Sequence, residues 1–237
     1  MSRIAILSDI HGNMPALKAV LKALDEKNPE VWICLGDLVG YGPHPDECIN
    51  EIRKRDFICV KGNHDAGITG ELSKEVFRQP NRKVIDLSED IVSEEQKKWV
   101  RDLPLIATNT EGDTKWIAAH ASPVNPSKWE YLESAFKMRP MLAELEQQFC
   151  FIGHTHRPAL VSEQIGINKF QPGLKYFINP GSVGQSRDGD YRASCAFLDT
   201  EKGIYENIRV EYEMEGVLSD LQSLGFSRRE AEYLLKV

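Results

Sequence analysis

Histidine, aspartate and asparagine side chains gather at five places in the chain, each shortly after an apolar run. Five of the six histidines lie at these places, and residues scattered for packing or solubility would not segregate in this way. Imidazole, carboxylate and amide groups, without thiolate, suit divalent cations such as Mn²⁺, Fe²⁺, Ni²⁺ or Zn²⁺. The candidate metal ligands are Asp9, His11, Asp37, Asn63, His120, His154 and His156.

Seven ligands are more than one cation needs if it must also hold water. Two cations that share a carboxylate, about 4 Å apart, account for the whole set. Taken singly, Asp9 could cap a helix, Asn63 could form a turn, and His120 could be a core histidine. Taken together, these explanations require several coincidences at successive strand ends, so we predict a two-metal centre.

The elements that must position these residues alternate between strands and helices. Strands are predicted at 3–7, 30–35 and 57–60, with helices at 16–24 and 45–54 between them. Such repeats with short links predict a parallel sheet, and ligands bind beyond the carboxyl ends of its strands. Further strands are predicted at 105–108, 115–119, 149–152, 159–162, 175–178, 193–199 and 204–210.

Helical patterns fill much of the remaining sequence. Residues 67–103 are charged and helical with a break at Pro80, and form a candidate insert or lid on a single domain of residues 1–237. A turn is predicted at Gly112-Asp113, and a helix at 132–148 that is interrupted near Pro140. Residues 215–236 predict two short helices separated by Gly225.

The composition limits the class of protein and its partners. The 237 residues are 41% hydrophobic and 27% charged, which is ordinary for a globular protein. A net charge of −7 argues against stable nucleic-acid binding. No apolar run is long enough to span a membrane, and the first residues do not resemble a signal peptide. Five cysteines without a C-x-x-C pair argue against disulfides and predict a cytoplasmic location, while the oligomeric state is left open.

The five blocks of polar residues resemble the conserved blocks of the calcineurin-like metallophosphoesterase superfamily, in the same order. They are Asp9-x-His11, Gly36-Asp37, Gly62-Asn63-His64-Asp65, His120 and Gly153-His154-Thr155-His156. The segment 179–184 further resembles the small single-domain group related to the bacterial phosphodiesterase YfcE. Ala121, where the family often has glycine, is a small departure. The resemblance implies an α/β fold, a four-layer α/β/β/α sandwich of two mixed sheets.

The resemblance also implies a role for each residue of the blocks. It assigns one cation to Asp9, His11, Asp37 and His156, and a second to Asp37, Asn63, His120 and His154, with Asp37 bridging. It makes His64 the general acid, oriented by Asp65, although His64 could instead only support its neighbour Asn63.

The Gly-rich loop 179–190 supplies candidate substrate-binding residues. Ser182 and Arg187 are the two candidates, but Arg187 and Arg192 could instead form ion pairs with Asp188 and Asp190. Tyr41 and His44, close behind the second block, could line the cleft or only form a turn.

The implied function is hydrolysis of a small phosphate ester, with a phosphodiester as the first choice, by a hydroxide held between two divalent cations. Mn²⁺ is the first choice of metal, with Fe²⁺, Ni²⁺ and Zn²⁺ as alternatives. A protein phosphatase or a dinucleoside-polyphosphate phosphatase is the alternative activity, because segment 36–42 also resembles those branches. A non-catalytic, metal-stabilised scaffold is the third possibility, and the presence of His64 beside a complete ligand set favours the enzyme.

Overall fold

The computed structural model of the chain describes residues 2–110, 114–167 and 169–237. The strands among these residues are β1 (Arg3–Leu7), β2 (Val31–Cys34), β3 (Ile58–Cys59), β4 (Ile106–Asn109), β5 (Trp116–Ala119), β6 (Phe149–Phe151), β7 (Ala159–Ser162), β8 (Tyr176–Asn179), β9 (Ala193–Asp199) and β10 (Ile204–Val210). The α-helices are α1 (Met14–Asp25), α2 (Pro45–Arg53), α3 (Asn63–Ile68), α4 (Asn81–Ile91), α5 (Glu94–Asp102), α6 (Ala135–Glu144), α7 (Met214–Ser223) and α8 (Arg228–Leu235). The predicted turn at Gly112-Asp113 lies outside the described residues.

Two five-stranded mixed sheets form the centre of the molecule. The first has the strand order β10-β9-β1-β2-β3, and the second has the order β4-β5-β6-β8-β7. Strands β1, β2 and β3 are parallel, as are β5, β6 and β8, whereas β9, β10, β4 and β7 run antiparallel to their neighbours. The predicted parallel arrangement of β1, β2 and β3 is therefore confirmed.

Successive side chains along each strand point to opposite faces of the sheet, and this alternation creates the separate core layers. Ile4 and Ile6 of β1 pack against Phe149 and Phe151 of β6 in a core between the two sheets. The intervening residues of β1 face α1 and α2 in a second core, and the outer face of the other sheet packs against α6. Because each sheet is covered on both faces, its central strands β2, β5 and β6 are apolar throughout. The predicted four-layer α/β/β/α sandwich is confirmed.

The helix predicted at 132–148 is shorter than expected, and Pro140 lies inside it rather than interrupting it. Proline removes the N–H that would bond to the carbonyl of Phe136, four residues earlier. Phe136 is 87% exposed, so water can satisfy that carbonyl and the helix continues. This corrects the predicted interruption.

Two helical regions flank the edge of the first sheet where β1 and β2 end. The region 67–103 contains a short 3-10 helix at Lys74–Val76 followed by α4 and α5. The C-terminal pair α7 and α8 packs against Val84 of α4 and against Tyr41 in a separate apolar cluster. No helix in the described parts of the chain combines the length and the apolar character that crossing a bilayer requires.

Candidate metal centre

The loops that leave the carboxyl ends of five strands carry all seven predicted ligands. The strands β1 and β2 of the first sheet are followed by Asp9, His11 and Asp37, and Asn63 begins α3 just beyond β3. The strands β5 and β6 of the second sheet are followed by the three remaining histidines. The site therefore lies on a rim that both sheets share.

Five of these ligands have left-handed backbone conformations. Their φ values lie between 52° and 64° at Asp9, His11, Asp37, His154 and His156. Each such residue costs about 1–3 kcal/mol and persists only where its surroundings enforce it. Backbone bonds between the loops do so here, from the N–H of Asp9 to Gly36 O at 3.0 Å and from the N–H of His11 to Asp37 O at 2.9 Å.

Two glycines let backbone and carboxylate approach closely. A Cβ at Gly62 would lie 2.1 Å from Asp37 Oδ1, and one at Gly153 would lie 1.9 Å from Ser8 Oγ. Any side chain at these two positions would displace the carboxylates of the site. The third and fifth blocks therefore need glycine at these positions, because there is no room for a Cβ atom.

Asp9, His11 and His156 form the first group of converging donors. His156 Nε2 lies 3.2 Å from Asp9 Oδ1, and His11 Nε2 lies 3.7 Å from Asp37 Oδ2. The two histidine Nε2 atoms are 3.1 Å apart. These donors can surround one cation.

Asp37, His120 and His154 form the second group. His120 Nε2 lies 3.3 Å from Asp37 Oδ2 and 3.2 Å from His154 Nδ1. Asn63 lines the same cleft as His154. Asp37 belongs to the second group, and its Oδ2 also lies 3.7 Å from His11 Nε2 of the first, so the geometry fits the predicted bridging carboxylate.

The outward nitrogen of each ligand histidine donates to a backbone carbonyl. The pairs are His11 Nδ1 to Val39 O, His120 Nδ1 to Leu35 O, His154 Nε2 to Trp129 O and His156 Nδ1 to Gln185 O. These bonds fix which nitrogen faces the site, so the second nitrogens of paired histidines lie about 3 Å apart. Lone pairs in that arrangement repel unless a cation or a proton lies between them.

Two buried oxygens strengthen the fit to metal. Asp9 Oδ2 accepts from Ser8 Oγ at 2.6 Å and from the N–H of His154 at 3.0 Å. Asp9 Oδ1 and Asn63 Oδ1 are buried with no hydrogen-bond partner among the described residues. Buried polar atoms are seldom left without a partner, and both atoms belong to predicted ligands.

The protonation states suit cation binding. Burial opposes ionisation of Asp37, but the adjacent His120 and His64 rings hold its pKa well below the usual value. Burial lowers the pKa of His154 to about 3 and that of His156 to about 4, so both rings are neutral. At His120 the nearby Asp37 outweighs burial and raises the pKa to about 10, so the ring carries a second proton at neutral pH. A bound cation would displace this proton.

His64 lies beside these two groups, and with His11 and Asp37 it forms a third set of converging donors. Its backbone N–H donates to Asp37 Oδ1 at 2.8 Å, and its ring centroid is 4.7 Å from those of Tyr41 and His11 and 4.9 Å from that of Phe77. Burial lowers the pKa of His64 well below its usual value. The ring is therefore neutral in the absence of an anion.

Asp65 does not contact the His64 ring, which corrects the predicted role. Its carboxylate accepts from the backbone N–H groups of Asp37, Leu38 and Gly62 at 2.8 to 2.9 Å. Since α3 turns the side chain back toward the β2 loop, Asp65 holds the loop that carries Asp37.

The loop after β8 places the two candidate substrate-binding residues in different surroundings. Ser182 is fully buried, where its hydroxyl donates to Asp9 O and accepts from the N–H of Gln185. That geometry gives no support to contact with a substrate. Arg187 instead lies beside Tyr41, a residue that lines the cleft, and donates to Gln185 Oε1 at 2.9 Å and to the Tyr41 hydroxyl at 3.0 Å.

The alternatives for the neighbouring residues are also resolved. Arg192 pairs with Asp190, as one alternative predicted, but Asp188 pairs with Arg209 and not with Arg187. Tyr41 lines the cleft. His44 is not among the described residues that line the cleft, and its Nε2 contacts Asp220 of α7 at 3.0 Å.

Several residues that contact the site were not predicted. Gln185 holds His156 through its backbone and Arg187 through its side chain. Its place two residues before Arg187 was the only signal in the sequence. Trp129 and Phe77 lie far from the blocks along the chain, and no local pattern marks them.

A family model, described as the calcineurin-like phosphoesterase superfamily domain, matches residues 2–203. The chain is 36% identical over 225 residues to the protein MJ0912 of Methanocaldococcus jannaschii, which covers 90% of this chain and 89% of that protein. A metallophosphoesterase from Sphaerobacter thermophilus has the same fold, with a TM-score of 0.82 and 32% identity over 100% of this chain and 99% of that one.

A symmetrical bis(5'-nucleosyl)-tetraphosphatase from Proteus mirabilis is 28% identical over 120 residues, which span 49% of this chain and 43% of that enzyme. YfcE-like phosphoesterases are among the structural neighbours. The predicted superfamily is confirmed by the match to most of the chain. The chain belongs to the calcineurin-like phosphoesterase superfamily.

Proposed function

We infer that this protein hydrolyses a small phosphodiester with the help of two divalent cations held on the shared rim of the sheets. The observation that supports this most is the two donor groups, of which one contains Asp37 and the other brings His11 to within 3.7 Å of Asp37 Oδ2. Asp9 Oδ1 and Asn63 Oδ1 are also left unpaired among the described residues. One cation would take Asp9, His11, Asp37 and His156 as ligands, and the other Asp37, Asn63, His120 and His154. Mn²⁺ is the first choice for both sites, since the donors mix imidazole with carboxylate and amide oxygen.

When bound, the two cations supply hydroxide at neutral pH by lowering the pKa of water, and they neutralise the phosphoryl oxygens. The protein's own part is to hold the ligand side chains in place and to orient them toward the cations. Ser8 and the N–H of His154 fix one oxygen of Asp9, so its other oxygen faces the site. Asp65 fixes the backbone around Asp37 in the same way.

His64 and Arg187 act on the substrate in this proposal. An anionic phosphate beside the buried His64 ring would raise the pKa of that ring, which then donates a proton to the leaving oxygen. Arg187, fixed by Gln185 and Tyr41, would bind a phosphoryl oxygen.

Hydrolysis of a dinucleoside polyphosphate is the second candidate. The match of about half of this chain to the Proteus mirabilis tetraphosphatase favours it over a protein phosphatase. The enzyme is preferred to a scaffold because His64 lies beside the site, where metal binding alone does not need it. The five cysteines are free and buried, which supports the proposed cytoplasmic location.

The test is hydrolysis by protein stripped with a chelator and then reloaded with Mn²⁺. The substrates are bis-p-nitrophenyl phosphate, p-nitrophenyl phosphate and diadenosine tetraphosphate, with Asp37→Asn as the inactive control. We expect the diester to be cleaved fastest and cleavage to stop when the metal is removed. Absence of hydrolysis of all three substrates by protein with two bound cations would contradict the enzyme and favour the scaffold.

A further inference from the structure

A cleft of about 560 Å³ opens beside the candidate metal ligands and carries more aromatic surface than the proposed hydrolysis needs. Its rings come from the loop after β2, the region 67–103, the segment between β5 and α6, and helix α8. They are Tyr41, Phe77, Trp129, Tyr131 and Tyr233. The cleft runs on from Asn63, His64 and His154, so a group attached to a phosphate at the metal ligands would extend into it.

Two of these rings are held in place at the edges of the site. Tyr131 stacks on His154 with 4.0 Å between ring centroids and an interplanar angle of 26°, yet the residue is 46% exposed. Phe77 lies against His64 and is so close to Gly67 that a Cβ there would be 3.0 Å from its ring. Fixed rings that remain open to solvent are suitable surfaces for stacking a planar group.

Asn81 adds a polar group with an unused acceptor. It is the first residue of α4 and lines the cleft, and its Oδ1 is buried without a hydrogen-bond partner among the residues the structure describes. An amide offers a donor and an acceptor side by side, which match the edge of a nucleobase such as adenine. An unpaired amide oxygen beside fixed rings therefore points to a planar group that bears polar atoms.

The charges of the cleft favour an anion. Arg78 and Lys128 line it, and no described aspartate or glutamate does, although the chain as a whole carries a net charge of −7. Rings, an amide and cations together suit a nucleoside phosphate better than a lipid or a peptide. A lipid would need an apolar wall without the unpaired amide, and a peptide carries no phosphate unless it is modified, whereas the cleft runs on from the candidate metal ligands.

We propose that the cleft is a nucleoside subsite, in which a base stacks on Tyr131 and bonds to Asn81 while its phosphate lies at the metal ligands. This inference rests on the proposed function and specifies its substrate class as a nucleoside phosphate ester. Tyr131 and Asn81 determine specificity and take no part in bond cleavage.

The experiment compares two ligands that differ only in the base. Binding of adenosine 5'-monophosphate and of ribose 5-phosphate to Mn²⁺-loaded protein is measured by titration calorimetry, so the result does not depend on turnover. Both ligands carry the same phosphate and sugar, and the ratio of their affinities isolates the contribution of the base. We expect the nucleotide to bind about tenfold or more tightly, since stacking of one base on an aromatic side chain supplies that much.

Variants assign the effect to individual side chains. Tyr131→Ala should bring the ratio close to one, and Tyr131→Phe should restore it because the ring remains. Asn81→Ala should reduce the ratio by several-fold. Tyr191→Ala, at a 60% exposed tyrosine outside the cleft, is the matched control and should leave the ratio unchanged. Thermal melts of each variant show whether it is folded.

Equal affinities of the two ligands for the wild type, or a ratio that survives Tyr131→Ala in folded protein, would overturn the proposal. Phenyl phosphate is a third ligand, and binding as tight as that of the nucleotide would replace the nucleoside with a simple aryl group and also overturn it. Failure of the proposed function looks different, because base discrimination would then be present without hydrolysis of any ester.

Discussion

Asp37 is the residue on which both donor groups depend. Its Oδ2 faces His120 and His11, and its Oδ1 accepts from the N–H of His64. We expect Asp37→Asn to weaken both cations together, by more than the roughly 10–100-fold that loss of a supporting hydrogen bond causes. Metal content after dialysis, with Mn²⁺ titrations, measures this.

Asp9→Asn is the matched control for Asp37→Asn, since Asp9 belongs mainly to the first group and its loss should weaken one cation more than the other. A second cation that binds Asp37→Asn with wild-type affinity would disprove the bridging role.

His64→Ala separates proton donation from metal binding. The contact between His64 and Asp37 uses the backbone N–H, so the variant should keep both cations. Loss of a proton donor should slow esters with poor leaving groups by about 10²–10⁴-fold. Nitrophenyl esters need little protonation of the leaving group and should be slowed less. Steady-state kinetics on paired alkyl and aryl esters, beside metal analysis, measures the difference.

His64→Asn, whose amide cannot supply a proton at neutral pH, should match His64→Ala on alkyl esters. Equal rate losses for good and poor leaving groups in variants with full metal content would make His64 a supporting residue instead.

At the scale of elements, a buried lysine ties the region 67–103 to the end of β3. Lys61 is 5% exposed, and its Nζ donates to both carboxylate oxygens of Glu71 at 2.8 and 2.9 Å and to Arg101 O at 2.7 Å. This lysine lies two residues before Asn63, so the tie also supports a predicted ligand. The region 67–103 is thus anchored near both of its ends, at Glu71 and at Arg101.

Glu71→Gln should lower the free energy of unfolding by about 1 kcal/mol, because Lys61 loses its partner but the 42% exposed Glu71 side chain is screened by solvent. Burial opposes ionisation of Glu71, yet the bond from Lys61 holds its pKa below the ordinary 4.5. The stabilisation is therefore complete above about pH 4.5 and is lost as the pH falls through the lower, folded-state value. Urea unfolding of both proteins as a function of pH measures the difference.

Glu75→Gln serves as the control for Glu71→Gln, because Glu75 forms no ion pair among the described residues. A wild-type advantage that stayed constant well below pH 4.5, or an equal loss in Glu75→Gln, would contradict the ion-pair explanation.

Element boundaries that depend on local sequence were predicted correctly, whereas those that depend on tertiary contacts were not. Pro80 lies between the 3-10 helix and α4, and Gly225 lies between α7 and α8, as expected, because proline and glycine act within a few residues of themselves. Pro140 failed as a signal because its effect depends on whether Phe136 faces water, which is a tertiary property. The predicted strand at 57–60 is only Ile58–Cys59, since its pairing with β2 ends there.

At the scale of the whole molecule, the ligands could be predicted from the sequence while the cleft could not. The blocks that carry the candidate ligands are contiguous motifs that follow apolar strands, so their residue types indicate them. Tyr131 and Phe77 meet the site only through the packing of separate segments. The return of β9 and β10 to the first sheet likewise depends on pairing between distant residues, such as Ile4 with Leu198.

Bound metal should stabilise the whole fold, because the ligand set exists only in the folded chain. Mn²⁺ at a free concentration of 100 times its dissociation constant should add about 2.7 kcal/mol for one site. Scanning calorimetry with and without Mn²⁺ measures the rise in melting temperature. The folded Asp37→Asn variant should show little rise, and a full rise in that variant would mean that Mn²⁺ stabilises the protein elsewhere.

The division of the ligands between the two sheets also has a kinetic consequence. Asp9, His11, Asp37 and Asn63 follow strands of the first sheet, whereas His120, His154 and His156 follow strands of the second. Neither half of the chain holds a complete coordination shell before the sheets dock. We therefore expect cations to bind after the sheets have docked, and interactions absent from the transition state slow unfolding without speeding refolding. Bound metal would thus lower the unfolding rate of the assembled sandwich and lengthen the lifetime of the native state.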